Sequence, residues 1–458
     1  MTGRPSVTGK ALILMPLAVL ITAIVIASWL NGPAAIVLTA LAVPVVFLAA
    51  YRWPRALLIT TAVAPLADPV LLGMVIEPPL EPGIQYFAEG LLAMVGLAVV
   101  VRAWRERTLL NAIEHPLTWF LAAFLLLAAA SALVNSVPIP IAVAGVVFTV
   151  DAVALFYLPR MTGFPPIAAR SAAVVLICVL GAAALLAIGQ AMLDPNLLGF
   201  PSFRAAFGEG SRATAFFANP NMLGAMLGLG TPLVLFAIPR QIGISRWALL
   251  TAGLVLLLAL VLTFSRGAWI GTVAGFGSVA LLLDRRALLI GAGLGLAAVL
   301  LVNVMPRNLL PGADELDGGP DVLDSTVDRF NAIGSGRDLR ARFLLEGLPI
   351  VGDHPLLGVG PGRYGGAAAN IFGTPVYAAY DTGLYGFHTV HIFWLHLLGE
   401  FGVLGSAAFV GMLLSSWLQV LRTAMRSNGL AFVLLAGIAA GAAVMSVNSG
   451  TEMLLEGN

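Results

Sequence analysis

Four stretches of this sequence carry residues whose types could do chemistry. In SRATAFFANPNMLG (211–224), Arg212 precedes an aromatic pair, and Asn219-Pro220-Asn221 opens an apolar run. Asn at an N-cap followed by Pro at the first helical position is a helix start. In TFSRGAWIG (263–271), Ser265-Arg266 divides two apolar runs with too few residues between them for a conventional loop. An arginine so near lipid depth is costly. It faces a bundle interior or a wet cavity, or it snorkels to the headgroups. In HTVHIFWLHLLGEFGVLG (388–405), His388, His391 and His396 are three of the chain's five histidines, and Glu400 follows. Imidazole titrates near working pH and suits a general base. The spacing fits no standard zinc motif, so no metal and no cofactor are expected. GVGPGR (358–363) shares glycines with a phosphate loop, but no Lys-Ser/Thr follows. We therefore read its glycines as allowing tight turns, not nucleotide binding. His115 and His354 each precede proline and read as structural.

The elements that must position these residues are membrane spans. Of 458 residues, 59% are hydrophobic and 10% charged, and the mean hydropathy is +0.97. A soluble domain is about 25% charged, so a soluble enzyme, a disordered chain and a nucleic-acid binder are all excluded. The fold class expected is an all-α polytopic membrane protein with about 12–14 transmembrane helices. The runs fall near 11–30, 34–50, 56–76, 87–101, 116–134, 139–158, 170–192, 220–238, 247–264, 267–283, 287–305, 391–420 and 429–448. The run 11–30 exceeds the roughly 7–15 apolar residues of a signal-peptide core and reads as a span that stays. The 391–420 segment is long enough to begin outside the lipid. An odd span count would leave the C-terminus outside, consistent with a further span beyond it.

Charge placement orients the stack. With a cytoplasmic N-terminus, the inner connections carry Arg4/Lys10, Arg52/Arg55, Arg102/Arg105/Arg107, Arg160/Arg170, Arg240/Arg246, Arg285/Arg286 and Arg422/Arg426. The short outer connections 31–33, 77–86 and 135–138 carry none, which is a positive-inside pattern. It predicts a cytoplasmic (inner) membrane protein with its site on the outer face. Two outer segments are nonetheless basic: 193–219, with Arg204 and Arg212, and 306–390, with Arg340 among six arginines. Arginines gathered outside suggest an anionic ligand. Four regions are expected: an N-terminal bundle 1–192, spans with an Arg-bearing outer loop 193–305, a large extracytoplasmic loop 306–390, and C-terminal spans 391–458. Within the loop, Leu339, Phe343, Leu344, Gly347, Leu348 and Ile350 recur at roughly helical spacing, the mark of an amphipathic helix at the outer surface. Cys178 is the single cysteine, so no intrachain disulfide is possible.

Taken in order, Arg212 before FFANPNMLG, FSRGAWIG, the stretch from Arg340 through DHPLLGVGPGRY, and the His391 segment ending GEFGVLG resemble the O-antigen ligase and O-antigen polymerase family of bacterial membrane glycosyltransferases. The match runs over about 200–410. The resemblance implies transfer of a glycan from a polyprenyl diphosphate carrier, on the outer face, without ATP or metal. The acceptor would be a lipid, a glycan or a protein. It assigns the diphosphate to Arg212, Arg266 and Arg340, and the histidine needed for transfer to His391. The chain departs from the family pattern at Ile392, where Asn often stands, and His388 becomes a further candidate. Two other classes use intramembrane Arg and His: a secondary transporter for an anionic solute, and a non-catalytic glycan-assembly subunit. A transporter would show paired, Gly/Pro-broken spans in two similar halves, which this sequence lacks.

Overall fold

The computed structural model describes residues 47–48, 51–52, 87–163, 166–193, 197, 212–217, 219–240, 243–304, 339–373, 376–380 and 392–450. Among them the only regular structure is helical. In chain order the helices are α1 (Phe87–Arg105), α2 (Leu109–Ile113), α3 (Pro116–Val134), α4 (Ile139–Val150), α5 (Ala154–Met161), α6 (Pro166–Met192), α7 (Pro220–Ala237) and α8 (Arg246–Leu262). They continue as α9 (Arg266–Gly271), α10 (Gly277–Leu283), α11 (Arg285–Val304), α12 (Leu339–Asp353), α13 (Gly366–Phe372), α14 (Val376–Ala379), α15 (Phe393–Met425) and α16 (Gly429–Asn448).

Seven helical stretches among the described residues are long and apolar enough to cross a membrane. They are Pro116–Val134, Ala169–Met192, Pro220–Arg240, Arg266–Leu283, Arg285–Val302, Phe393–Met425 and Gly429–Asn448. The chain is thus a multi-pass, all-α membrane protein. The expected spans 11–30 and 56–76 lie outside the described residues, as does 34–50 but for residues 47–48. The expected span 139–158 is not one helix. It breaks at Asp151–Val153, where the Asp151 carboxylate accepts from the Ala152 amide, a side-chain bond that competes with helix continuation.

The chain forms two compact units, 1–114 with 153–175, and 115–152 with 176–458. In the first, Gly96 of α1 faces Leu158 of α5. Arg102 donates to the Tyr51 carbonyl at 3.1 Å and Arg105 to the Tyr51 hydroxyl at 3.3 Å. Arg160 donates to Ala112 O at 3.1 Å and lies over the Phe156 ring. The basic connections around 52 and 102–105 therefore meet at one end of that unit.

The second unit holds all seven candidate spans but the first residues of one. Lipid provides no hydrophobic drive between helices, so close packing of small residues and interhelical hydrogen bonds must hold the bundle. Glycines do this where α7, α9–α10 and α16 meet. A Cβ on Gly275 would stand 2.3 Å from Val444 N, and one on Gly271 2.9 Å from Val444 O. A Cβ on Gly228 would meet Thr272 Oγ1 at 2.7 Å. Between α9 and α10 the chain makes a π-helical turn, Thr272–Phe276, which contacts α16. At the other side of the unit, Phe124 of α3 packs on Phe401 and Phe409 of α15 with centroids 4.7 and 5.8 Å apart. His115 caps α3: its Nδ1 accepts from Leu117 N, leaving Nε2 to donate to Gln419 Oε1. Its role is structural.

Candidate functional site

The start of α7 follows the sequence closely. Asn219 is the N-cap, its Oδ1 accepts from Asn221 N at 2.7 Å, and Pro220 stands at the first helical position. Asn221, one place on, turns its own carboxamide to Arg212, which donates from Nη2 to Asn221 Oδ1 at 2.7 Å. The Nε of Arg212 donates to the Thr263 carbonyl at 2.9 Å. Ala213 N donates to Leu262 O at 3.3 Å, so the segment after Arg212 runs along the end of α8.

The end of α8 is the Ser265-Arg266 junction. Thr263 Oγ1 donates back to Leu260 O and accepts from Ser265 N, which tightens the turn. Phe264 takes a left-handed φ of 49°, reversing the chain within two residues so that α9 begins at Arg266. Trp269 Nε1 donates to Leu260 O at 2.9 Å and ties the new helix to the old. Gly224 of α7 makes room: a Cβ there would stand 2.8 Å from Ala268 Cβ and 3.1 Å from Ser265 Cβ. Arg212 and Arg266 are thereby carried to one junction, three residues apart through Thr263. Both are half-buried.

Two of the four non-glycine residues with left-handed backbone among the described residues, Ala215 and Phe264, belong to this junction. Such conformations persist only where the surroundings over-determine them, and they gather at functional sites. At Ala215 the surroundings are Gln190 of α6, 3% exposed, whose carboxamide bonds both Thr214 and Ala215. The motifs did not single out Gln190. A lone carboxamide in an otherwise apolar span was the available signal.

The glycine stretch 358–363 is a second construction. Gly358, Gly360 and Gly362 have φ of 69°, 108° and 73°, which only glycine adopts readily. Their loop docks into a break in α15, where Gly402 has φ 65° and ψ −172°. On one side of the break, Val359 N and Gly360 N donate to the carbonyls of Gly399 and Glu400 at 2.8 and 3.1 Å. On the other, Val403 N and Leu404 N donate to Pro355 O and Leu356 O at 2.8 and 3.3 Å. Two carbonyls and two amides flanking the break thus find loop partners, as burial away from water demands. Glu400, fully buried, accepts from Gly362 N at 2.8 Å and Tyr364 N at 3.2 Å. The loop's outer flank is held by α3: Asn135 Nδ2 donates to Gly358 O, Ser131 Oγ to Leu357 O, and Arg363 to Asn135 O. The turn reading of these glycines holds, and the amides a phosphate would need are taken by Glu400.

Tyr364 wedges between α12 and α15, where Gly347 and Gly399 leave space for its hydroxyl and ring. Tyr377 donates to the Tyr364 carbonyl, and both join a cluster with Phe343, Ile350 and Leu395. Burial pushes both phenols well above their ordinary range, so they remain neutral. α12 is thus fixed against α15 by its buried face, while Leu344, Leu345 and Leu348 face outward.

Arg340 stands in the first turn of α12. His388 and His391 lie outside the described residues. His396 is buried in α15, with Nδ1 3.9 Å from Glu400 Oε1. Ile392 occupies the N-cap of α15 and offers no side-chain cap. Phe393 N donates to Ser449 O at 3.1 Å, so the end of α16 satisfies the first free amide of α15.

Residues 251–410 match the family model described as O-antigen ligase. The match takes in Arg266, Arg340, Glu400 and the positions of His388 and His391, and leaves Arg212 outside. No curated protein matches the chain.

Proposed function

On the premise that residues 251–410 carry an O-antigen ligase domain, whose general activity is glycan transfer of the ligase kind, we propose a specific reaction for this chain. It moves a glycan from a polyprenyl diphosphate donor to a lipid-linked, glycan or protein acceptor. It does so on the outer face of the cytoplasmic membrane, without ATP or metal. Arg212, Arg266 and Arg340 hold the diphosphate, and His391 is the general base, with His388 beside it in sequence. The observation that carries this reading is the bond from Arg212 to the Thr263 carbonyl, which joins an arginine outside the matched stretch to the junction bearing Arg266.

The chemistry follows from the groups. A planar guanidinium matches diphosphate oxygens with paired donors and keeps its charge when partly desolvated. The acceptor hydroxyl attacks the anomeric carbon and passes its proton to neutral imidazole. The bond from that carbon to the diphosphate oxygen breaks, and its electron pair leaves with the polyprenyl diphosphate. Fixed positive charge stabilises that leaving group.

The test is transfer by the full chain from a polyprenyl diphosphate-linked oligosaccharide, with donor binding measured separately. His391→Ala is expected to lose about 10²–10⁴-fold in transfer while binding survives. Arg266→Lys is expected to lose both, since a point charge cannot replace the fork. Normal transfer by His391→Ala with loss in His388→Ala moves the base three residues upstream. Full transfer by Arg266→Lys ends the diphosphate assignment at that residue.

A further inference from the structure

Gln190 is the only carboxamide in the Ala169–Met192 span, and it is buried. A leucine would fill the space without a polar group to satisfy, so the amide answers to something other than packing. Its bonds run to one turn. Gln190 Oε1 accepts from Thr214 N at 3.3 Å and Ala215 N at 2.8 Å, and Nε2 donates to Ala215 O at 3.0 Å. The turn it holds is left-handed at Ala215, with φ 50°, a conformation disfavoured for a residue with a Cβ. Arg212 lies two residues before Thr214 and reaches Thr263 O and Asn221 Oδ1 from there.

We propose that Gln190 is a positioning residue: it locks the Thr214–Ala215 turn in its left-handed form and so fixes the Arg212 guanidinium at the Ser265-Arg266 junction for the donor diphosphate. The proposal rests on the reading of Arg212 as a diphosphate ligand. Without the clamp, Ala215 relaxes toward right-handed backbone and only a fraction of molecules carries Arg212 in place. Donor affinity then falls by that fraction. Turnover at saturating donor changes little, because bound donor selects the assembled form. A merely structural amide would lower the yield of folded protein and leave the affinity of what folds unchanged.

The experiment uses the full chain in detergent, with farnesyl diphosphate as the binding probe and an undecaprenyl diphosphate-linked oligosaccharide as donor for turnover. Gln190→Leu is expected to weaken probe binding by about tenfold, with turnover at saturating donor within about twofold of the parent. Adding Ala215→Gly should recover most of the lost affinity, because glycine adopts the left-handed φ without help. Parent-like affinity in Gln190→Leu overturns the proposal, and so does failure of Ala215→Gly to restore any. Should Gln190→Leu not fold, Gln190→Glu keeps the two accepted bonds and loses the donated one. It should show a smaller loss of affinity, and no loss there is equally fatal. Arg212→Ala separates the two readings. If it binds the probe as the parent does, the diphosphate reading itself fails. If it loses binding while Gln190→Leu does not, only the positioning role fails.

Discussion

The arginine junction and the glycine loop solve opposite electrostatic problems with the same material, backbone hydrogen bonds. At the loop, the amides of Gly362 and Tyr364 converge as they would on an anion, and the carboxylate of the chain's own Glu400 receives them. At the junction, the Thr263 carbonyl and the Asn221 carboxamide accept from Arg212 and orient its guanidinium. A carboxylate closed inside the protein on the chain's own amides serves the fold. A half-buried guanidinium oriented by a turn of the backbone serves the ligand proposed for it.

That contrast is breakable. Variants of the junction arginines should change donor binding and transfer with little loss of stability, and variants at the loop should do the reverse. The largest effect is expected for Arg212→Ala, which should lower transfer by about 10²–10³-fold, the range for losing one fixed donor to a leaving group. Thermal unfolding of the same variant should stay near that of the parent. If its unfolding temperature collapses instead, the arginine belongs with Glu400 as part of the fold. Next comes Glu400→Ala, which strips the acceptor from two buried amides at about 1–3 kcal/mol each. Denaturation should show that loss while donor affinity in the folded fraction is kept. Gly224→Ala sharpens the junction side. Its methyl would stand 2.8 Å from Ala268 Cβ, so α7 and α9 must separate at about 1–3 kcal/mol. Donor binding should weaken along with stability, because the separation moves Thr263 away from Arg212. The smallest effect is expected for Arg240→Lys. Arg240 pairs with Asp284 and lies 4.2 Å from the Phe432 ring centroid, remote from both regions. Lysine keeps the charge beside the buried Asp284 and loses only the guanidinium face over Phe432, so thermal unfolding should fall slightly and transfer should not change.

How much of this was legible in the sequence depended on whether the cause was local. The cap at Asn219 and the first-turn Pro220 were legible, because capping is decided within three residues. So was the abrupt Ser265-Arg266 junction, since two apolar runs met there without a loop. The left-handed turns at Ala215 and Phe264 were not, because neither residue favours that backbone and each is imposed by its surroundings. Gln190 acts 24 and 25 residues ahead in the chain, beyond any periodicity. Glu400, nine residues beyond His391 and about 13 Å along a continuous helix, reads as serving the fold unless the helix breaks between the two. The break lies beyond Glu400, at Gly402, and Glu400 holds the loop that the break admits. No local pattern separates Gly402 from the other helical glycines of α15, since docking of 355–360 is what turns it.

The break at Gly402 also orders biosynthesis. A span interrupted there exposes two carbonyls and two amides that lipid cannot satisfy. Their partners at 355–360 precede α15 in the chain, so the template for the bend is synthesised before the span that bends on it. Produced without residues 339–373, the segment 393–425 has no such template and should close the gap on itself. Gly402 would return to right-handed backbone, and the span would run as one straight rod. A circular permutant with 393–425 ahead of the loop would insert that rod first, and would have to bend it afterwards, within the bilayer, to recover the native form.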